Sequence, residues 1–185
     1  MEHQDHVRLI KDGVAPDGAP KVAGAVWADF GSGTGAFTLA LADLLGRQGQ
    51  ALIISIDRDR SALRAQEQAM RARFPESGVE YRAADFSQRL ELPPLDGIVM
   101  ANALHFIPDR RKPGVLDQLH SYLKPGGRLV MVEYNADQGN PWVPHPFSFS
   151  TWEKLAGQAG FIDTRLLATV PSRFLREIYS SVSKK

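Results

Sequence analysis

The sequence has no cysteine, no large excess of charge of one sign and no long apolar run. Without cysteine the chain has neither disulfide bonds nor a metal site built from thiolates, and the absence also fits a reducing cytosol. Its 22 basic and 21 acidic residues leave a net charge of +1, which creates no overall attraction to nucleic acids or membranes. No apolar run approaches the roughly 20 residues of a membrane span, and the polar first residues do not resemble a secretion signal. We therefore expect a cytoplasmic protein that binds neither nucleic acid nor membrane.

The length of 185 residues and the hydrophobic content of 43% are typical of one globular domain. Short apolar runs alternate with amphipathic runs, which predicts a parallel sheet with helices on both faces. Because such crossovers are right-handed, the expected fold is a doubly wound α/β sheet. We expect one domain, with a core over residues 26–185 preceded by a short helix and a Pro/Gly linker in residues 1–25.

The expected elements can be given in chain order. Strands are predicted at 25–30, 51–57, 79–85, 96 to about 101 and 128–134, and helices at 5–11, 36–49, 61–74, 112–123 and 150–161. A Pro-Gly-Gly turn, residues 125–127, precedes the fifth strand, and Ser150 with Glu153 predicts a capping box for the last helix. The final runs, 163–170 and 173–182, predict an antiparallel hairpin.

Three glycines at alternate positions, Gly31, Gly33 and Gly35, lie between the first strand and the first helix of the core. Glycine permits positive φ and close approach of a ligand to the backbone. The following helix start offers unpaired N–H groups to an anion. The alternative is a tight turn that needs glycine for its own geometry.

Acidic residues follow the next two strands. Ligands in doubly wound sheets bind beyond the carboxyl ends of the strands, so these positions are candidates for binding. Asp57 ends the second strand, where a carboxylate can accept hydrogen bonds from both hydroxyls of a ribose. Asp85 ends the third strand, within reach of an adenine amino group. The alternatives are a helix-capping role for Asp57, for which Asp59 is better placed, and a plain loop carboxylate for Asp85.

Taken together, these motifs resemble those of class I S-adenosylmethionine-dependent methyltransferases. "DFGSGTG" resembles the first motif of that family, "SID" its acidic position after the second strand, and "AADF" its adenine-contacting position. "LKPGGRLVMVEY" resembles its turn and fifth strand. The resemblance runs from about residue 26 to residue 185 and includes the terminal hairpin. It implies a Rossmann-like, mostly parallel seven-stranded sheet that ends in an antiparallel pair.

The resemblance also implies the cofactor, S-adenosylmethionine, with S-adenosylhomocysteine as the product. The backbone of the glycine turn would face the methionine part, and Asp29 would pair with its ammonium directly or through water. Asp57 would hold the ribose hydroxyls, Asp85 and Phe86 the adenine, and Asn102 the methionine end. The residues implied to bind the cofactor are Asp29, Gly31, Ser32, Gly33, Gly35, Asp57, Arg58, Asp85, Phe86 and Asn102.

Two other functions stay open. An NAD-dependent oxidoreductase would carry the pattern G-x-G-x-x-G, whereas this chain has G-x-G-x-G, and the terminal hairpin also disfavours a dinucleotide fold. A protein that binds S-adenosylmethionine without catalysis is not excluded by any residue.

The sequence offers few candidates for a catalytic base. His105 follows the fourth strand and Glu133 ends the fifth, so both are candidate catalytic residues for an acceptor that must lose a proton. His145 lies in a Pro-rich stretch with three aromatic residues, Trp142, Phe147 and Phe149. That stretch would form either the wall of an apolar substrate pocket or a cover over the last helix.

The acceptor class follows mainly from what is absent. No N-P-P-[YF] motif for planar amino groups follows the fourth strand. Asn102 stands where a metal-dependent catechol enzyme would have an aspartate, so no metal is expected. The remaining resemblance is to the small-molecule branch, as in quinone, sterol or arsenite methylation, and arsenite chemistry needs thiols that this chain lacks. We expect a small-molecule acceptor and a monomer or homodimer. Because the segment before the first strand is short, the acceptor site would be open or completed by a second chain.

Overall fold

The chain folds around a seven-stranded sheet in the computed structural model, which describes residues 1–16, 23–46 and 51–185. The strands are β1 (Val26–Phe30), β2 (Leu52–Asp57), β3 (Gly78–Ala83), β4 (Leu95–Ala101), β5 (Leu123–Tyr134), β6 (Ile162–Pro171) and β7 (Glu177–Lys184). Their order across the sheet is β3-β2-β1-β4-β5-β7-β6. The first five strands are parallel, and β7 runs antiparallel to both of its neighbours. The predicted doubly wound sheet with a terminal antiparallel pair is thereby confirmed.

Helices cover both faces of this sheet. The helices are α1 (His3–Val14), α2 (Ala36–Gly46), α3 (Arg60–Arg73), α4 (Lys112–Tyr122) and α5 (Phe149–Gln158). Apolar residues of α1, α2 and α3 form one core cluster with the sheet, and those of α4 and α5 form the other. The inner strands contribute to both clusters, because successive side chains of a strand point to opposite faces. This explains why their sequences are continuously apolar. No described helix has the length and apolar character needed to cross a membrane.

Some boundaries differ from the sequence-based predictions. Helix α1 extends over His3–Val14 rather than 5–11, because Leu9, Ile10 and Val14 are all buried against the core. The predicted cap of α5 was wrong, since Ser148 caps this helix and accepts a hydrogen bond from Thr151 N at 3.3 Å.

The fifth strand also begins earlier than predicted. The Pro-Gly-Gly segment belongs to an irregular first part of β5, where Leu95 pairs with Leu123 and Gly97 pairs next with Arg128. This extension is held by the backbone of Lys185, which accepts from Gly126 N and donates to Gly127 O, both at 3.0 Å. Residues 17–22 of the predicted linker, and residues 47–49 of the predicted second helix, lie outside the described residues.

Candidate functional site

A cavity of about 500 Å³ opens at the carboxyl ends of the parallel strands. It lies where β1 separates β2 from β4, which is the point at which the strand order of a doubly wound sheet reverses. Its volume is in the range of small-molecule sites. The lining residues are Gly31, Asp57, Arg58, Asp59, Ala84, Asp85, Phe86, Ser87, Asn102, Ala103, Phe106, Ile107, Pro108 and Arg111.

The glycine turn forms the floor of the cavity at the end of β1. Gly31 has a φ of +72°, and a Cβ built on it would lie 2.5 Å from the Cβ of Ala103, so a side chain here is excluded twice. Gly33 also has a positive φ, of +53°, but the space where its Cβ would stand is open. The turn is fixed to the neighbouring strand, because the N–H groups of Gly31 and Ser32 donate to the carbonyl of Ile56. Glycine at position 31 is therefore required both by the backbone and by the close approach of the segment after β4.

Asp57 joins the end of β2 to the glycine turn. Its Oδ2 atom accepts from Gly33 N at 2.8 Å, and its Oδ1 atom accepts from Asp59 N at 2.8 Å. A carboxylate oxygen has more than one lone pair, so each oxygen can accept a further hydrogen bond from a ligand. Asp57 thus lines the cavity as an oriented acceptor. Asp59 has a different task, because it caps α3 through bonds from Ser61 N and Ala62 N.

The segment after β3 forms a second acidic position beside the first. Asp85 Oδ1 accepts from Ser87 N at 2.8 Å, and this bond is the main reason why the pKa of Asp85 lies below its ordinary value. The charges of Arg58 and Arg111 lower this pKa further. The ring of Phe86 also lines the cavity. This end of the cavity therefore combines a carboxylate, two guanidinium groups and an aromatic ring.

Asn102 has two unusual features at the end of β4. It has a φ of +50°, in a region that residues other than glycine seldom adopt, and its N–H group donates to Val132 O at 2.8 Å. Its Oδ1 atom is buried and has no hydrogen-bond partner among the described residues. Backbone strain and an unsatisfied buried acceptor both carry a cost in stability, and such features concentrate at functional sites. The side chain is therefore prepared to accept a hydrogen bond from a bound molecule.

Four of the residues predicted to bind a cofactor lie outside the lining of the cavity. They are Asp29, Ser32, Gly33 and Gly35, which build the turn from behind. Asp29 is 1% exposed, and its Oδ2 atom accepts from the Thr38 hydroxyl at 2.6 Å. Burial raises the pKa of Asp29 to about 7. The other six, Gly31, Asp57, Arg58, Asp85, Phe86 and Asn102, line the cavity together.

The two candidate catalytic residues contact each other beneath the cavity. His105 is 2% exposed and Glu133 is fully buried, and the Nδ1 atom of the histidine lies 2.8 Å from Oε2 of the glutamate. The backbone N–H of His105 donates to the other carboxylate oxygen at 3.1 Å. Neither side chain lines the cavity, so their catalytic role stays a prediction.

The Pro-rich stretch after β5 forms a cover over α5. Phe147 is buried and lies 6.0 Å from the ring of Trp152, and no residue of 140–149 lines the cavity. Of the two interpretations of this stretch, the contacts favour the cover. Trp142 differs from its neighbours, since 70% of its surface is exposed.

Sequence reasoning missed the wall of the cavity that follows Asn102. This part of the wall contains two turns of 3₁₀-helix, Leu104–Phe106 and Asp109–Arg111. Phe106 and Arg111 lie in these turns, and Ile107 and Pro108 connect them. The available signal was positional, because any segment that follows the carboxyl end of an inner parallel strand lies at this edge of the sheet. Among the described residues, no group of three histidine or acidic side chains is placed to hold a metal ion.

Comparison with known proteins identifies relatives of this chain. A family model described as a methyltransferase domain matches residues 21–160. The carboxy-S-adenosyl-L-methionine synthase of Psychrobacter sp. (strain PRwf-1) is 29% identical over 120 residues, which cover 62% of this chain and 43% of that protein. The ubiquinone/menaquinone biosynthesis C-methyltransferase UbiE of Azotobacter vinelandii is 31% identical over 127 residues, with coverage of 65% and 48%. The matched regions thus span less than half of each relative.

The fold also has solved counterparts. The magnesium protoporphyrin IX methyltransferase ChlM from Synechocystis, solved with bound S-adenosylmethionine, superposes with a TM-score of 0.72. It is 17% identical, and the superposition covers 99% of this chain and 79% of that one. At this identity the likeness concerns the fold.

Proposed function

The chain belongs to the family of methyltransferase domains, and from this premise we propose that it transfers a methyl group from S-adenosylmethionine to a small-molecule acceptor. The observation that carries the proposal is the cavity at the switch point of the sheet. There, Asp57 and Asp85 face one space beside a glycine turn that leaves room for a ligand. The name of the relative from Azotobacter vinelandii, a C-methyltransferase, supports the same reaction class. The name of the other relative, a carboxy-S-adenosyl-L-methionine synthase, and the cofactor held by the structural counterpart support a ligand of the S-adenosylmethionine type. We propose residues 26–185 as the core of one methyltransferase domain, preceded by residues 1–25.

The described residues fit this cofactor. The unpartnered Oδ1 atom of Asn102 would accept a hydrogen bond from the ammonium of the methionine part. Asp57 offers free lone pairs to the two ribose hydroxyls, and Asp85 offers them to the adenine amino group. Phe86 supplies a flat apolar surface for the base. Together these groups match the polar atoms of an adenosine bearing an amino acid.

Asp29 would contribute through its charge. Its buried carboxyl has a pKa of about 7, so a nearby cation would favour the ionised form. We propose that this carboxylate stabilises the ammonium group directly or through water. Ser32, Gly33 and Gly35 would contribute by shaping the turn, because their N–H groups already donate within the protein, to Ile56 O, Asp57 Oδ2 and Ser32 O respectively.

The chemistry needs little more than alignment. When bound, S-adenosylmethionine supplies a methyl group on a sulfonium that is already reactive toward in-line displacement. The residues of this chain would orient the two reactants, and orientation of this kind can lower a barrier by about 7–11 kcal/mol. An acceptor that must lose a proton would also need a base, and His105 with Glu133 are the candidates for that task.

The acceptor side of the cavity favours an apolar small molecule. Phe106 lines the cavity and has 58% of its surface exposed. Its neighbours Ile107 and Pro108 are also apolar and line the same wall. An exposed aromatic ring beside a cofactor cavity is a favourable contact for a flat apolar acceptor. One relative is named as a C-methyltransferase of ubiquinone and menaquinone biosynthesis, and the ring of a quinone is a flat group of this kind.

The first experiment is a thermal titration with S-adenosylmethionine and S-adenosylhomocysteine, with NADH as the control ligand. At a hundredfold excess over the Kd, binding adds about 2.7 kcal/mol, which raises the Tm by roughly 5–10 °C at this chain length. Asp57→Ala should abolish most of the shift. Asp57→Asn retains an acceptor for Gly33 N and should keep the unliganded Tm closer to the original, while still weakening binding.

Two other results of these experiments would indicate a different function. If the Tm does not change with S-adenosylmethionine or S-adenosylhomocysteine but rises with NADH, the proposal is overturned in favour of an oxidoreductase. Binding without methylation of any member of an acceptor panel would instead favour a non-catalytic S-adenosylmethionine-binding protein.

A further inference from the structure

The wall of the cavity beyond Asn102 has few hydrogen bonds of its own. This wall segment, residues 102–111, contributes six of the fourteen lining residues. The backbone bonds that close the two 3₁₀ turns come from Phe106 N and Ile107 N in the first turn and from Arg111 N and Lys112 N in the second. Such short turns have poor hydrogen-bond geometry and do not fix a segment by themselves. Contacts from other parts of the fold must therefore determine where the wall segment lies.

The first of these contacts comes from the end of β5. The carboxylate of Glu133 accepts two hydrogen bonds from His105, one from the backbone N–H at 3.1 Å and one from Nδ1 at 2.8 Å. Both residues are buried, so water does not compete for these bonds. Glu133 therefore fixes the middle of the wall segment to the central sheet.

The second contact comes from the start of α4. Lys112 is 1% exposed, and its Nζ atom donates to Asp109 Oδ1 and to His145 O, each at 2.6 Å. The ammonium also lies 4.6 Å from the centre of the Phe147 ring. A buried lysine is costly unless its donors are satisfied, so the Lys112 ammonium requires both of these acceptors to stay in place. It joins the far end of the wall segment to residues 140–148, the cover loop.

The two contacts converge on the same pair of segments. The backbone N–H of His145 donates to His105 O at 3.0 Å, so the cover loop is bonded both to the middle of the wall segment and to Lys112, which directly follows the segment. On its inner side, the wall segment approaches the glycine turn so closely that no Cβ fits on Gly31 opposite Ala103. A small outward displacement of the wall segment would widen the cavity at this point.

We propose that Glu133 and Lys112 are positioning residues, which hold the wall segment from behind at the distance from the glycine turn that ligand binding requires. Neither side chain lines the cavity, so each acts through the residues that it fixes. Glu133 acts through His105, and Lys112 acts through Asp109 and the cover loop. The inference rests on the proposed function for the identity of the ligand, but the placement of the wall segment does not depend on it.

The test compares three variants with a matched control. Glu133→Met keeps the volume and removes both acceptors, whereas Glu133→Gln keeps a polar partner for His105, whose ring can change tautomer to match it. Lys112→Met keeps the aliphatic stem over Phe147 and removes the ammonium. The control is Lys124→Met, because Lys124 forms an ion pair with Asp96 at 2.8 Å and lies outside the lining of the cavity.

Two measurements are made on each protein. Calorimetry gives the Kd of S-adenosylhomocysteine, and amide hydrogen exchange of the unliganded protein reports on the wall segment. We expect both Met variants at positions 133 and 112 to bind about tenfold more weakly, as is usual when groups that support a binding site are removed. Their exchange should accelerate in residues 102–111 and 140–148 while β1 and β2 stay protected. The Kd of Glu133→Gln should lie within about twofold of that of the original protein. Lys124→Met should change neither the Kd nor the exchange of the wall segment.

Other outcomes are equally decisive. Exchange that accelerates across the whole sheet, or unchanged binding in a folded Met variant, would overturn the positioning role. If Glu133→Met does not fold, Lys112→Met decides alone. If the unaltered protein fails to bind S-adenosylhomocysteine, the proposed function fails, and the exchange measurement still decides whether these residues position the wall segment.

Discussion

Asp29 is a titratable side chain in the centre of the sheet, and its position sets a dependence of stability on pH. The carboxyl is buried beside Thr38, and its pKa of about 7 lies well above the value of about 3.9 expected in an unfolded chain. Desolvation is the main cause of this rise, and the charge of Asp57 adds to it. The same side chain is proposed to face the ammonium of the cofactor, so its protonation matters for binding as well as for folding.

We predict that stability from Asp29 falls as the pH rises from about 4 to about 7. Over this range the folded protein retains the proton while the unfolded chain has released it, so a higher pH favours unfolding. Three pKa units correspond to about 4 kcal/mol, which is an upper limit for the effect. Asp29→Asn removes this dependence. The free energy of unfolding of the variant, relative to that of the original protein, should therefore be higher at pH 8 than at pH 4. Urea unfolding at the two pH values measures the difference, and an equal effect of the variant at both would contradict the prediction.

Helix α5 provides a prediction that separates two neighbouring serines. Ser148 is its N-cap, with an Oγ atom that accepts from Thr151 N, whereas Ser150 lies inside the first turn. Loss of an N-cap costs about 1 kcal/mol. Ser148→Ala should therefore lower the free energy of unfolding by about that amount, and Ser150→Ala by clearly less. Chemical unfolding of both variants measures this, and a larger loss from Ser150→Ala would refute the assignment of the cap.

The sequence predicted the elements better than their ends. Asp57 was found because it ends a mainly apolar strand, a pattern that the buried centre of a parallel sheet imposes. Asp85 was found because it stands at the end of the next predicted strand along the chain, and it follows β3 by two residues. The start of β5 was misplaced because its first residues are held by Lys185, a partner far away along the chain. The cap of α5 was misplaced because Ser150 and Glu153 have the spacing of a capping box, and local spacing cannot tell which serine precedes the first turn.

The same limit applies to the candidate site. The burial of His105 against Glu133 depends on the pairing of residues from two different strand ends, which no local pattern specifies. Phe106 and Arg111 were missed because they lie in short turns without a periodic signal. The residues that the sequence identified are those directly at strand ends, and those that it missed belong to the wall between such ends.

The face of the sheet opposite α4 and α5 depends on the first helix of the chain. Helix α1 packs against α2 and against the edge formed by β5, β6 and β7, and it buries Leu9, Ile10 and Val14 in that core. The molecule thus uses a helix from the start of the sequence to cover strands from its end. This contact is long-range, and it makes α1 a part of the core.

We predict that Ile10→Ala lowers the free energy of unfolding by about 2–5 kcal/mol, because the side chain is fully buried and its removal leaves a cavity. Arg8→Ala, on the exposed side of the same helix, should change it by no more than about 0.5 kcal/mol. Thermal unfolding of both variants makes the comparison. Similar small losses in the two would contradict the role of α1 in the core.

The placement of β7 between β5 and β6 has a consequence for how the protein is made. During synthesis the chain emerges from its first residue onward, and β5 is complete about forty residues before its antiparallel partner. Until residues 177–184 appear, one edge of β5 has no strand to pair with, and β6 has no neighbour at all in the sheet. An unpaired apolar strand edge readily joins the edge of another chain. The nascent domain is thus exposed to aggregation between the emergence of β5 and that of β7, and folding of this half of the sheet must wait for β7.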